Sequence, residues 1–214
     1  MKLVWSAETA SKAFIDTVKT CKLSHESSVA ELISAMAAGW NAKLIVETWS
    51  KGGMMQTSIG LAIASHYAGG KHVCIVPDEE SKTEYVQAME KAGKPVPEVK
   101  VGKPEELVGG IEGIDFMVVD SSRKDFANIF RVAKLGERGA VLICKNASSR
   151  AASDFGWRNV LDGKTRIVRH VFLPVGNGLD IVHVGATISG PKKGPSRWIK
   201  HVDRKTGEEI FIRT

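Results

Sequence analysis

Four short polar stretches follow apolar runs directly, and each can do chemistry. Glu47-Thr-Trp-Ser-Lys-Gly-Gly53 follows Leu44-Ile-Val46. Small residues at a helix start let backbone N–H groups meet an anion or a carboxylate, and a plain tight turn explains the same glycines. Pro77-Asp-Glu-Glu80 follows Val73-Cys-Ile-Val76. Asp78 can accept hydrogen bonds from a ribose diol, or it can cap the next helix among favourable first-turn charges. Asp120-Ser-Ser-Arg-Lys-Asp125 follows Phe116-Met-Val-Val119. The Asp120 carboxylate can hold a metal, a substrate or a cofactor amine, or serve as a helix cap. Lys145-Asn146 closes Ala140-Val-Leu-Ile-Cys144. Lys145 can act as a base, as an anion clamp or as a surface cation.

These stretches need elements to position them. The apolar runs alternate with helical stretches from Met54 to Tyr67, about Glu79 to Lys91, Asp125 to Lys134, and around Ala151–Val160. Val99-Lys-Val101 adds a weaker run between the second and the fourth. Short apolar runs alternating with helices indicate parallel strands buried on both faces. The fold class is therefore α/β, a doubly wound sheet with helices on both faces, whose ligands bind outside the strand carboxyl ends. Arg166–Leu173 and Leu179–Val184 are β-rich, and the short Pro174-Val-Gly-Asn-Gly178 connection demands antiparallel pairing.

Ahead of the sheet, two helices are expected. Ala10, Ala13, Phe14, Thr17, Val18 and Cys21 recur at helical spacing behind a Ser6 cap, and Ser28-Val-Ala-Glu31 is a capping box. Behind it, Ser189–Pro195 reads as a linker, and Trp198–Val202 and Glu208–Ile212 flank Lys205-Thr-Gly207 as a small hairpin. The expected organisation is helices packing on the core over 1–40, the α/β domain over 41–188, and a basic linker and hairpin tail over 189–214.

The motifs that are missing exclude several classes. No GxGxxG follows strand one, against a nicotinamide or flavin dehydrogenase, and no GxxxxGK[ST] or GxSxG occurs. Cys21, Cys74 and Cys144 are far apart, with no CxxC, which speaks against structural zinc. Cys74 and Cys144 lie in apolar runs and read as reduced, buried thiols, so the cytoplasm is the expected compartment, with the nucleus as alternative. His170 and His183 fall in the last hairpin and read as structural. The 214 residues suit one domain with an appendage, and no apolar run nears the ~18 residues of a membrane helix. The start turns polar too soon for a signal peptide. Net charge is +6, and seven Lys/Arg against three Asp/Glu lie beyond residue 189. Acids among these bases favour a solubilising tail over a nucleic-acid arm, and no membrane partner is expected.

The order of elements resembles the class I S-adenosylmethionine-dependent methyltransferases, and more narrowly the small O-methyltransferases of the caffeoyl-CoA and catechol type. The resemblance covers roughly residues 26–185. It rests on Trp40-Asn-Ala-Lys43, Ile114-Asp-Phe-Met-Val-Val-Asp120 and, most specifically, Phe172-Leu-Pro-Val-Gly-Asn-Gly-Leu179. The whole chain with its basic extension also resembles a plant family of methyltransferase-like proteins defined as a domain of unknown function. The resemblance implies a Rossmann-like sheet of order 3-2-1-4-5-7-6 with strand seven antiparallel. It implies S-adenosyl-L-methionine as cofactor, with Glu47, Gly53, Asp78 and Asp120 lining the crevice above strands one and four, and Lys145 and Asn146 as candidate catalytic residues.

Three positions depart from the family's pattern. Trp49 stands where a glycine lets the cofactor's methionine portion approach the backbone. Val76 stands where an acid meets the ribose, with Asp78 two residues later. Lys145 stands where the metal-dependent branch has an acid between the counterparts of Asp120 and Asn146, so no metal is expected. Two functions follow. One is methyl transfer to an unidentified acceptor, a small molecule by default, without the metal site. The other is a non-catalytic binding protein that keeps the fold around a degenerate cofactor site. Oligomeric state is not readable.

Overall fold

The computed structural model describes residues 4–21, 28–148, 155–186, 198–202 and 209–213. Seven strands make the central sheet: β1 (Leu44–Thr48), β2 (Lys71–Val76), β3 (Glu98–Val101), β4 (Phe116–Asp120), β5 (Ala140–Lys145), β6 (Ile167–Leu173) and β7 (Leu179–Val184). Their spatial order is β3-β2-β1-β4-β5-β7-β6. The first five are parallel, and β7 runs antiparallel to both β5 and β6. This is the order and polarity expected from the sequence.

The two-residue period of a strand splits its apolar side chains between two cores. Ile45, Cys74, Phe116 and Ile143 face one layer; their neighbours Val46, Val73, Met117 and Leu142 face the other. Helices α1 (Ala7–Cys21), α2 (Ser28–Gly39), α3 (Met55–Ala68) and α4 (Glu79–Lys91) cover the first face through Ala13, Ile33, Leu61 and Tyr85. Helices α5 (Pro104–Gly109), α6 (Phe126–Val132) and α7 (Trp157–Val160) cover the second through Val108, Phe130 and Trp157. Ser6 caps α1 as expected, its Oγ accepting from Thr9 N at 3.4 Å. Helices α2 and α3 pack closely because α3 carries Gly60: a Cβ there would lie 2.9 Å from Ala30 O.

Some elements differ from expectation. Helix α5 was not foreseen, although Pro104 at its first turn followed by Glu105 and Glu106 is a helix-start pattern. Helix α6 stops at Val132 rather than Lys134, because Lys134–Leu135 pairs in parallel with Glu112–Ile114. The expected helix over 151–160 is described only at α7, and residues 149–154 lie outside the described set. Trp198–Val202 pairs antiparallel with Glu209–Arg213, as a tail hairpin should. The 189–195 linker, the boundary at 188 and the Lys205–Gly207 turn lie outside the described residues, as does the side chain of Ser28. Among the described residues, no helix is long and apolar enough to cross a membrane.

One buried acid ties the strand starts together. Asp115 Oδ2 accepts from Lys43 N at 2.8 Å and from the Arg138 guanidinium. Its backbone bonds Leu44 O at 3.1 Å and Val141 N at 2.8 Å, so the entries of β1, β4 and β5 share one anchor. Asp115→Ala leaves a backbone donor and a guanidinium unpaired. It should lower stability by about 2–3 kcal/mol in urea unfolding. A loss under about 0.5 kcal/mol, the range of ordinary surface substitutions, would show that the anchor is replaceable by water.

Candidate functional site

The sheet's switch point lies at β1, where the chain first builds outward to β2 and β3 and then crosses to β4 and β5. Ligands of open α/β sheets bind outside the strand carboxyl ends there. Glu47 stands near the end of β1 and is 2% exposed. Its side chain points to the α3/α4 face, where three donors converge. Ser58 Oγ of α3 donates to Oε2 at 2.9 Å. Tyr85 Oη of α4 donates to Oε1 at 2.7 Å, and His72 Nε2 of β2 meets Oε1 at 3.0 Å. Burial pushes the Glu47 carboxyl up, but the His72 and Tyr85 bonds and the Lys145 charge outweigh it and hold the group below the usual carboxylate range. Both oxygens of Glu47 are thus engaged within the protein.

The loop that follows folds inward. Trp49 N donates to Ile75 O at 2.9 Å, which continues the β1–β2 pairing by one residue. The indole is 4% exposed and meets the Tyr85 ring edge-on, with centroids 5.4 Å apart. Gly53 then closes over it: a Cβ at Gly53 would lie 2.8 Å from Trp49 Nε1. Two contacts tie the loop to α4, an ion pair between Lys51 and Glu80 and a 3.3 Å bond from Gly52 N to Glu84 Oε1. Asp78, at the start of α4, is exposed and caps it, accepting from Ser81 N at 2.7 Å. That bond holds its carboxyl below its ordinary value. The helix-cap alternative for Asp78 is therefore the one its geometry displays, and Val76 behind it is fully buried.

The other expected residues gather on the far side of the switch point. Register pairs Asp120 with Lys145, and Asn146 follows in a left-handed turn at φ 56°. Asn146 Nδ2 donates to both Asp120 oxygens at 2.8 Å, and Ser122 adds bonds of 2.9 Å from N and 2.6 Å from Oγ. Burial raises the Asp120 carboxyl, yet these donors and the Lys145 charge hold it low. An open cleft lies above them, with Asp120, Lys145 and Asn146 on one side and Met54 and Thr57 of the α3 entry on another. The Val175–Leu179 turn roofs it, because Lys145 pairs with Leu179 and Ala147 and Ser148 bond Gly178 O and Asn177 O.

So the structure brings Asp120, Lys145 and Asn146 together in one cleft. Glu47, Gly53 and Asp78 do not line that cleft: Glu47 is enclosed, Gly53 covers an indole and Asp78 caps a helix. Sequence reading missed Ser58, His72, Tyr85 and Thr57. Ser81, Tyr85 and Met89 at helical spacing mark the buried stripe of α4 and were the available signal. His170 meets Asp180 at 2.6 Å and His183 packs edge-on against Trp40, in structural settings.

The donor set does not suit a divalent cation. Both Asp120 oxygens are occupied by the Asn146 amide, and Lys145 puts an ammonium beside them. Among the described residues, no group of three or more His, Cys, Asp or Glu can hold a metal. In the loop after β1 the Trp49 indole is buried against Tyr85, and the end of β2 carries buried Val76.

The chain matches, over residues 1–214, the family described as "protein of unknown function (DUF1442)", and it belongs to that family. No curated protein matches it in sequence. Solved structures match it in fold. A methyltransferase from Geobacter sulfurreducens is 20% identical at a TM-score of 0.60, with 85% of this chain and 92% of that one covered. An O-methyltransferase from Bacillus cereus, in complex with SAH, is 16% identical at 0.57, covering 86% and 93%. The O-methyltransferase TomG from Streptomyces achromogenes, in complex with SAM, is 21% identical at 0.57, covering 86% and 92%. This likeness shows that the chain has the Rossmann-like methyltransferase fold.

The Glu47 network sets a pH dependence. An unfolded glutamate titrates near about 4.3, and the folded group lies lower. Its ionised form therefore contributes stability above about pH 4.3, lost as the pH falls through the folded value. Urea unfolding of wild type and Glu47→Gln should show a gap between the two that shrinks across that window. A gap independent of pH would mean that Glu47 titrates alike in the folded and unfolded chain, and a gap that widens as the pH falls would mean that it is protonated in the folded protein.

Proposed function

We propose that this chain works as a binding protein on a methyltransferase fold, its cofactor crevice closed by its own side chains and its ligand taken in the cleft above Asp120, Lys145 and Asn146. The observation that carries this reading is Trp49. Its indole is buried in the core, packed on Tyr85 and covered by Gly53. An edge-on aromatic pair contributes about 0.5–1.5 kcal/mol beyond its buried area, so the closed loop is a packed arrangement and not a loose one. The Asp78 carboxylate caps α4 through Ser81 N, two residues past buried Val76 at the end of β2.

A second reading is S-adenosylmethionine-dependent methyl transfer to an unidentified small-molecule acceptor, without a metal. Two observations favour it. Similar folds hold SAH or SAM in the Bacillus cereus and Streptomyces achromogenes proteins. The Lys51–Glu80 pair that ties the loop is exposed, and such pairs contribute only about 0–1 kcal/mol, so the loop can be released at small cost. Lys145 and Asn146 would then face the acceptor.

Calorimetric titration with S-adenosylmethionine and S-adenosylhomocysteine separates the two. Wild type should show no binding. Trp49→Gly should show a gain in binding, at a stability cost of about 3–5 kcal/mol for the lost core side chain. Tight binding by wild type, unchanged or weakened in Trp49→Gly, would overturn the closed-crevice reading in favour of a working methyltransferase.

A further inference from the structure

The net charge of +6 lies entirely in the last part of the chain. Residues 155–214 carry eleven Lys/Arg against five Asp/Glu, and residues 1–154 carry nineteen of each. The fold puts two of these cations at the edge strand β6, where Arg166 precedes the strand and Arg169 lies within it, both exposed. Among the described residues neither makes an ion pair. Register sets Arg169 opposite His183, whose imidazole is held below its usual value by burial and by that guanidinium. Arg166 and Val168 lie over Gly185, since a Cβ there would meet Arg166 Nε at 2.9 Å and Val168 Cγ2 at 3.0 Å. Gly185 is two residues beyond His183, so the period of an extended chain puts the two on one face.

Aromatic rings continue that face. His183 meets Trp40 edge-on with centroids 5.3 Å apart, and Trp40 meets Trp5 in the same way at 5.3 Å. Trp5 is anchored on one side: Ser6 N donates to Gly39 O at 2.7 Å, and the indole takes the space that a side chain at Gly39 would need. It nevertheless stays 45% exposed. A large ring held in place and left half in water is a stacking platform rather than a core residue. The whole face lies at the amino ends of the parallel strands, because His183 pairs with Val141 near the start of β5, while the cleft is at Lys145, its end.

We infer that Trp5, Arg169 and Arg166 form a binding surface for single-stranded nucleic acid. The guanidinium groups take phosphates, and the Trp5 indole takes an unpaired base that stacks on it. Charge alone would equally suit an acidic protein or an anionic lipid. The anchored indole in line with the guanidinium groups separates these cases, because a nucleic acid offers flat π-faces and phosphates together, and carboxylate side chains and lipid headgroups do not. A duplex keeps its bases stacked on one another and leaves the ring without a partner. The excess charge of residues 155–214 draws a polyanion toward this half of the chain and speeds its arrival. The sequence by itself favours a solubilising tail; the aromatic and cationic face forms only on folding, when Trp5, Trp40, Arg169 and His183 come together. The surface is separate from the cleft and acts whether or not that cleft takes a ligand.

The test uses the full chain and fluorescein-labelled oligothymidylate and oligouridylate of about 20 nucleotides, read by anisotropy from about 50 to about 200 mM salt. Both should bind saturably, with a Kd on the order of micromolar at low salt, and weaken as salt rises. Replacing both arginines, Arg166→Gln with Arg169→Gln, should weaken binding at least about tenfold and lower the logarithmic salt slope by about 1.4, the share of two phosphates. Trp5→Ala should weaken binding about tenfold with the slope unchanged, and Trp5→Phe, which keeps a ring, should retain most of the affinity. Lys91→Gln, on α4 toward the opposite sheet edge, should change nothing. Oligonucleotide should also quench wild-type tryptophan emission, with most of the quench lost in Trp5→Phe, and this readout decides should Trp5→Ala loosen the amino-terminal segment. Tighter oligouridylate identifies RNA as the source, tighter oligothymidylate identifies DNA, and equal affinity shows that only their shared chemistry is read; all three support the surface. Absent oligonucleotide binding would overturn it, as would equal binding of duplex or of polyglutamate of the same length. Binding untouched by the arginine pair or by Trp5→Ala would overturn it too, and so would binding of phosphatidylserine vesicles in place of oligonucleotide.

Discussion

The buried carboxylate of Glu47 is the constraint around which this end of the molecule is arranged. A carboxylate taken out of water is tolerated only when its oxygens are met by donors. Here the donors come from β2, α3 and α4, so satisfying one side chain fixes two helices and a strand against the end of β1. The arrangement also fixes Tyr85, which presents its ring to Trp49. The closed loop after β1 is thus a consequence of where Glu47 finds its hydrogen bonds. Trp49 Nε1 in this loop is a buried donor with no partner among the described residues, and His72 Nδ1 of the network is likewise buried and unpartnered. For Trp49 that cost of about 1–3 kcal/mol is set against the burial of a large indole, which contributes more.

The switch point is therefore divided in two. Toward β2, Glu47, Trp49 and Val76 are buried in the protein. Toward β5 it stays open, because the 175–179 turn arches over Lys145 while being held back by Ala147 and Ser148. The same antiparallel hairpin that completes the sheet supplies this roof. Its register, Lys145 opposite Leu179, is what brings the turn to the carboxyl edge rather than the other end. The polar residues of the open half are already bonded to one another on the Asp120 side and unbonded on the Thr57 and Lys145 side. That asymmetry gives the cleft a direction.

Much of this was legible in the sequence. Runs such as Val73–Val76 and Ala140–Cys144, too apolar for one-sided burial, announced parallel strands, and the short Pro174–Gly178 connection announced the antiparallel pair. The placing of Asp120, Lys145 and Asn146 at one sheet edge was also readable, since Asp120 and Lys145 end neighbouring strands and Asn146 follows the second. What was not readable was direction. Glu47 and Asp78 sit at strand ends as expected, but one turns inward to three donors and the other turns to its own helix. Those choices depend on Ser58, His72, Tyr85 and Ser81, which approach only in the folded chain. Helix α5 was hidden for a simpler reason: six residues are too few for an apolar period to declare itself.

The three departures from the methyltransferase pattern make sense together. The sheet topology opens a crevice at the switch point whether or not a ligand uses it. Protein interiors do not leave such spaces empty, because unfilled walls lose their dispersion contacts. On the binding reading proposed above, the chain fills the crevice itself, with Trp49 in the loop that would otherwise cradle the ligand. Once an indole and Tyr85 occupy that side, an acid at the end of β2 would face apolar groups, and buried Val76 suits the surroundings better. An acid at position 145 would then stand across the sheet from Asp120, two carboxylates with no cation between them. Lysine removes that repulsion and lowers the energy of both Asp120 and Glu47, which feel its charge from either side. On that reading Trp49, Val76 and Lys145 act together in how the switch point is occupied and charged.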